Sequence, residues 1–168
     1  MPDLSYVLYD TAPFAAAANV EFLLFKVAFG GDATHIESFT NMRGAGSLPV
    51  GEKFTIKKIS VVLDSFSTVI DDVLKATVSS FFDIRVNDQS LFKAPSSLLI
   101  DASAYGGSYQ LAAAAAHNGL GLLGNGYELE NPIMVPGGTA FYCRLFQTVA
   151  LSTTYNIKVC LQGIYTLP

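Results

Sequence analysis

The chain has 168 residues, 51% of them hydrophobic and 14% charged, with ten Lys and Arg against fourteen Asp and Glu for a formal charge of -4. An ordinary soluble domain carries about 25% charged residues, so the composition excludes an intrinsically disordered chain and argues against a dedicated duplex-DNA binder, which concentrates Lys and Arg on one face. A single domain, residues 1–168, is the expectation at this length.

Residues 1–18 open with the β-prone run Leu4-Ser5-Tyr6-Val7-Leu8-Tyr9, then Pro13 and the small residues Ala15 to Ala18. They read as an arm or edge strand rather than a core element. Asn19 to Phe29 is aromatic and apolar, and predicts a strand. Residues 30–50 are loop-like, with Gly30, Gly31, Gly44, Gly46 and Pro49 as punctuation. Phe54 to Leu63 predicts the next strand, with alternation in its first half.

From Ser65 to Ala76 the period changes. Phe66, Val69, Ile70, Val73 and Leu74 mark one face of a short helix, and Thr68 with Asp71 fits a capping box. Phe81 to Val86, Asn87-Asp88-Gln89 and Leu91 to Lys93 predict a hairpin that ends at Pro95. Ser97 to Ile100 reads as a further short strand. Residues 102–126 form a Gly/Ala/Ser-rich excursion with a short helix predicted over Leu111–Ala116; it is long for a structureless loop.

The clearest β signal closes the chain: Tyr127 to Val135, the turn Pro136-Gly137-Gly138, Thr139 to Val149, and Tyr155 to Leu167. About eight strands and one short helix, with no βα alternation, predict an all-β antiparallel jelly-roll sandwich or barrel.

Charge is unevenly placed. Of the twenty-four charged residues, only Glu128, Glu130, Arg144 and Lys158 lie beyond Ala102. Either those residues are the centre of the fold, or their outer surface meets something other than bulk water. The expectation is both: central strands whose outer faces are covered by neighbouring subunits. A membrane-spanning helix is not expected, because Gly106, Gly107, Gln110, His117 and Asn118 interrupt the longest uncharged run. Pro2 and Asp3 do not read as a signal peptide, which points to synthesis in a cytosol.

Reactive motifs are scarce. Gly119-x-Gly121-x-x-Gly124 matches a dinucleotide fingerprint in letters, but an Ala run precedes it where a strand is needed. His35 and His117 have no ligand-spaced partners for a metal. Glu128 with Glu130, and Asp71 with Asp72, read as solvated carboxylates. Lys53, Lys57 and Lys58 read as a solvent-facing strand surface. Cys143 and Cys160 read as two buried free thiols, although adjoining strands would allow a disulfide. No catalytic residue, metal or cofactor is expected, and an enzyme is the weakest class. The absence of Trp disfavours sugar stacking; the twelve Phe and eight Tyr suit core filling and subunit contacts.

One stretch carries a family resemblance. Glu130-Asn131-Pro132-Ile133-Met134-Val135-Pro136-Gly137-Gly138-Thr139 enters the alternating strand Phe141–Val149, and Leu161-Gln162-Gly163-Ile164 lies in the last strand. This resembles the end of viral single jelly-roll coat proteins, in the style of the small major capsid proteins of sphaerolipovirus-type phages, thermophilic and with an internal membrane. The resemblance implies an icosahedral coat subunit that assembles with copies of itself, a larger coat protein and membrane-associated virion proteins. It implies a place in the virion, without specific nucleic acid or small-molecule substrate. A virion spike, a receptor-binding module or a carbohydrate-binding sandwich is the alternative. The residues expected at a subunit contact are Leu4, Tyr6, Leu8, Tyr9 and Phe14, with Leu4 to Tyr9 able to add a strand to a neighbour.

Overall fold

The computed structural model describes residues 3–14, 17–63, 75, 78–99, 126–152 and 154–168. Their strands are β1 (Asp3–Phe14), β2 (Val20–Leu24), β3 (Lys53–Leu63), β4 (Ser80–Val86), β5 (Gln89–Pro95), β6 (Tyr127–Pro136), β7 (Phe141–Gln147) and β8 (Tyr155–Thr166). All pairing is antiparallel, in two four-stranded sheets ordered β1-β8-β3-β6 and β2-β7-β4-β5. That order is a jelly roll, as expected from the sequence.

Alternating side chains from both sheets meet in the middle, where Phe25, Phe54, Phe82 and Phe141 are fully buried. Each such side chain contributes about 1.5–3 kcal/mol by leaving water. Phe25 and Phe141 stack at 5.5 Å between ring centres, and Tyr6, Phe54 and Tyr165 form a second aromatic group with centres 5.2 to 6.4 Å apart.

The strands β7 and β8 each lie between two others. Their central position accounts for part of the charge scarcity late in the chain, since inward positions such as Leu145, Val159 and Leu161 are buried. The strand β6 is an edge, and it carries Glu128 and Glu130.

Four details differ from the sequence reading. First, β1 is an edge strand, but Leu8, Asp10 and Ala12 are buried, so it also builds the core. Second, β2 stops at Leu24 because Phe25 takes φ 64°, a left-handed backbone no strand accommodates. Third, the run predicted as a strand over Ser97–Ile100 begins with a 3-10 turn, Ser96–Leu98, in which the Leu99 N–H reaches back to the Ser96 carbonyl at 2.9 Å. Fourth, alternation fades in β3 because Lys57 is an extra residue between the pairs Ile56–Gly163 and Lys58–Gln162. Phe54 and Ile56 point inward before this bulge, and Ile59 and Val61 after it.

The helix predicted over Ser65–Ala76 lies outside the described residues except at Lys75, which is helical and accepts the Ser79 N–H at 2.9 Å. The excursion up to residue 125, with His117, the Gly119–Gly124 motif and Leu111–Ala116, also lies outside them, as do Asp71 and Asp72.

Candidate interaction surfaces

The outer face of the β2-β7-β4-β5 sheet consumes its own charges. Register places Leu23, Arg144, Asp83 and Lys93 in one row across it. Arg144 holds Glu21 through two nitrogens, with Nε to Oε1 at 3.0 Å, and its Nη1 lies 3.8 Å from the Asp83 carboxylate. Asp83 is buried and accepts from Arg85 Nε at 2.8 Å and Ser90 Oγ at 2.6 Å. The Arg144 hydrogen bonds hold the Glu21 carboxyl below its usual range, and Asp83 raises the already high Arg85 value. Lys26 sits 4.3 Å above the Tyr142 ring, whose hydroxyl donates to Asp88 at 2.8 Å.

The outer face of the other sheet is quieter. Two rows are uncharged, Ser5, Ile164, Thr55, Met134 and Tyr9, Cys160, Ser60, and they alternate with rows that hold Asp3 and Lys53, Lys58 and Glu128, and Lys158. A groove of about 620 Å³ lies among Val7, Lys57, Lys58, Glu128, Pro132 and Ile164. Gly163 also lines it, and Gly163 is glycine for a hard reason: a Cβ there would stand 1.9 Å from the Thr55 carbonyl oxygen. Val7 and Met134 are exposed. Lys57, Lys58 and Glu128 were read from the sequence as solvent-facing, whereas their meeting in one groove depends on strand pairing between β3 and β6, which the sequence does not show.

The five residues expected at a subunit contact separate. Leu4 is 47% exposed, whereas Leu8 is 2% exposed and belongs to the core. Tyr6 is half-buried against Phe54 and Tyr165. Tyr9 is half-buried on the outer face, and its hydroxyl donates to the Glu37 carbonyl at 2.6 Å. Burial and the nearby Glu37 raise its pKa. Phe14 closes β1 opposite Tyr155; its side chain lies outside the described residues. The whole of β1 pairs with β8 of the same chain.

Two further buried carboxylates besides Asp83 were not singled out from the sequence. Asp10, 2% exposed, accepts the Phe25 N–H through Oδ2 and the Thr11 N–H through Oδ1 at 3.0 Å. It therefore fixes the left-handed exit of β2. Burial raises its pKa, and these two N–H bonds offset part of the rise. Glu52 accepts from the Tyr165 hydroxyl and from Arg43 Nη1 at 3.5 Å. Burial and this partner push the Tyr165 hydroxyl well above its usual value.

His35 pairs with Asp32 at 2.7 Å through Nδ1, in a turn where Asp32 also accepts from Thr34. Cys143 and Cys160 are not joined in a disulfide and lie on β7 and β8 of opposite sheets. Cys143 is buried as expected, and burial pushes its thiol pKa up. Cys160 is only half-buried, because even-numbered residues of β8 face outward. Among the described residues, no cluster of three or more His, Cys, Asp or Glu could hold a metal, and no helix is long and apolar enough to cross a membrane.

The geometry defines the class: an all-β, two-sheet antiparallel sandwich with jelly-roll strand order. No protein-family model, curated protein or solved structure matches the chain.

Proposed function

We propose that this chain is a structural subunit of an icosahedral virion coat, acting by self-assembly and by packing with a second, larger coat protein. The observation that carries the reading is the strand order of the two sheets, β1-β8-β3-β6 over β2-β7-β4-β5, the arrangement that recurs in viral capsid domains. The resemblance of residues 130–139 and 161–164 to such proteins points the same way. So do the exposed apolar side chains Leu4, Val7 and Met134 on the first sheet, which a neighbour could cover. The mechanism is many modest contacts repeated by symmetry, with no bond made or broken. Partners are copies of the chain, the larger coat protein and membrane-associated virion proteins.

The test is light scattering with electron microscopy of the purified protein across concentration and salt, alone and with other proteins encoded in the same genome. Closed particles, or a stoichiometric complex with a second shell-forming protein, support the reading. Inert monomers under every condition, or a small closed oligomer that binds a glycan and never assembles, overturn it.

A further inference from the structure

A sheet edge is a row of unpaired N–H and C=O groups that a further strand can complete. Among the described residues the sandwich has four edge strands: β1, β6, β2 and β5. Three of them are interrupted. On β6, Leu129 to Pro132 stand opposite Lys57 alone, between the pairs Lys58–Glu128 and Ile56–Ile133, and Pro132 has no N–H to offer. On β5 the register slips at Leu91, which falls between the pairs Ile84–Phe92 and Arg85–Ser90. The strand β2 is five residues long and ends at the left-handed Phe25. By contrast, β1 runs twelve residues in unbroken register with β8.

The free side of β1 is covered over part of its length. Asn41 Oδ1 accepts the Tyr9 N–H at 2.8 Å, the Asn41 N–H donates to the Tyr9 carbonyl at 3.2 Å, and Asn41 Nδ2 donates to the Val7 carbonyl at 2.7 Å. Thr11 Oγ1 adds a bond to the Phe39 carbonyl at 2.9 Å. One asparagine and its loop therefore stand in for a neighbouring strand from Val7 to Thr11. Before Val7 the cover stops. Antiparallel alternation turns the N–H and C=O of Ser5 and the N–H of Val7 to the same free side. Among the described residues no hydrogen bond reaches them, and Leu4, Ser5 and Val7 are exposed.

We propose that Asp3–Val7 pairs antiparallel with the same five residues of a second copy, with Ser5 on the two-fold axis, so that two four-stranded sheets become one continuous sheet. An extended backbone is the chemistry that satisfies such a row, and the side chains select a copy of this chain. In this register Ser5 meets Ser5 of the second copy and exchanges both backbone bonds, while the Val7 N–H meets the Asp3 carbonyl of the second copy. Leu4, on the core side opposite Tyr165, then lies against Tyr6 of the second copy, and the axis repeats that aliphatic–aromatic pair. The Asn41 loop stops the pairing at Val7, which prevents the register from sliding. The strand stays on its own sheet and is not exchanged. The proposal does not rest on the coat reading, because an edge contact makes a dimer whether or not dimers build a shell.

Sedimentation analysis of the wild type against Ser5→Pro tests it. Proline at this position removes only an N–H that faces away from β8, which an edge strand tolerates. The wild type self-associates to a dimer at roughly 10–100 μM, the range of small interfaces. Ser5→Pro weakens that association at least about tenfold and leaves the unfolding midpoint of dilute protein nearly unchanged. In a Cys160→Ser background, Ser5→Cys forms disulfide dimers under mild oxidation, since hydrogen-bonded residues across the axis have Cα atoms about 5.5 Å apart. Val50→Cys, at a site 87% exposed, is the control.

A wild type that stays monomeric throughout, a Ser5→Pro protein that associates like the wild type, or Ser5→Cys cross-linking no faster than Val50→Cys each overturns the proposal. Particles that form normally from Ser5→Pro overturn it and leave the coat reading standing. Dimers that never form particles do the reverse.

Discussion

At the scale of single residues, backbone geometry dictates side-chain identity in two places. Gly163 lies under the Thr55 carbonyl, where the extra residue Lys57 crowds β3 against β8. A methyl group there must displace backbone, so Gly163→Ala is expected to lower stability by about 1–3 kcal/mol, read from urea unfolding. Asp10 poses the opposite question, a carboxyl held where charge is costly. Its folded pKa stands above the ordinary value of 3.8. The stabilisation from its protonated form is therefore complete below that ordinary value and is lost as pH rises through the elevated one. Asn carries no such ionisation. The stability of the wild type relative to Asp10→Asn is expected to fall as pH climbs from about 4 towards neutrality, measured by denaturation at a series of pH values. A difference that stays flat with pH refutes the buried-acid account.

At the scale of elements, the β4–β5 hairpin shows why some of the fold was legible. Asn87 and Asp88 have φ of 51° and 61°, the signs of a type I′ turn, which matches the right-handed twist of the strands it joins. Asn tolerates this backbone better than Ala, and Gly better than either. Asn87→Ala should cost about 1 kcal/mol and Asn87→Gly nothing or less, as checked by thermal unfolding. The eight strands were readable because alternating apolar residues and turn residues both mark them. The early stop of β2 was not, since nothing near Phe25 in sequence announces that a carboxylate fifteen residues earlier fixes its backbone. The bend into a 3-10 turn after Pro95 was hidden for a related reason: Leu99 is apolar because it enters the core, which strands and turns do equally. Of the residues expected at a subunit contact, Leu4 proved exposed and Leu8 buried although both lie on the core-facing side of β1, a distinction set by position along the strand, which alternation does not reveal.

At the scale of the whole molecule, the two outer faces divide the electrostatics unequally. Glu21, Arg144, Asp83 and Arg85 satisfy one another on the second sheet, while on the first sheet uncharged rows alternate with rows that hold Asp3 and Lys53, Lys58 and Glu128, and Lys158. Association through the β1 edge, which rests on backbone bonds and the Leu4–Tyr6 contact, is expected to persist between about 0.05 and 0.5 M salt, where screening weakens exposed ion pairs. Light scattering over that range decides the matter, and assembly that dissolves at high salt contradicts it.

The insertion at Lys57 also splits β3 into two half-strands that keep opposite time. In a saturation survey of substitutions, even-numbered positions up to Ile56 should refuse polar replacements, and odd-numbered positions should do so from Ile59 onward. Deleting Lys57 would merge the two rhythms into one while leaving Phe54, Ile56, Ile59 and Val61 on the same inward face, so the strand would lose its bend and keep its interior.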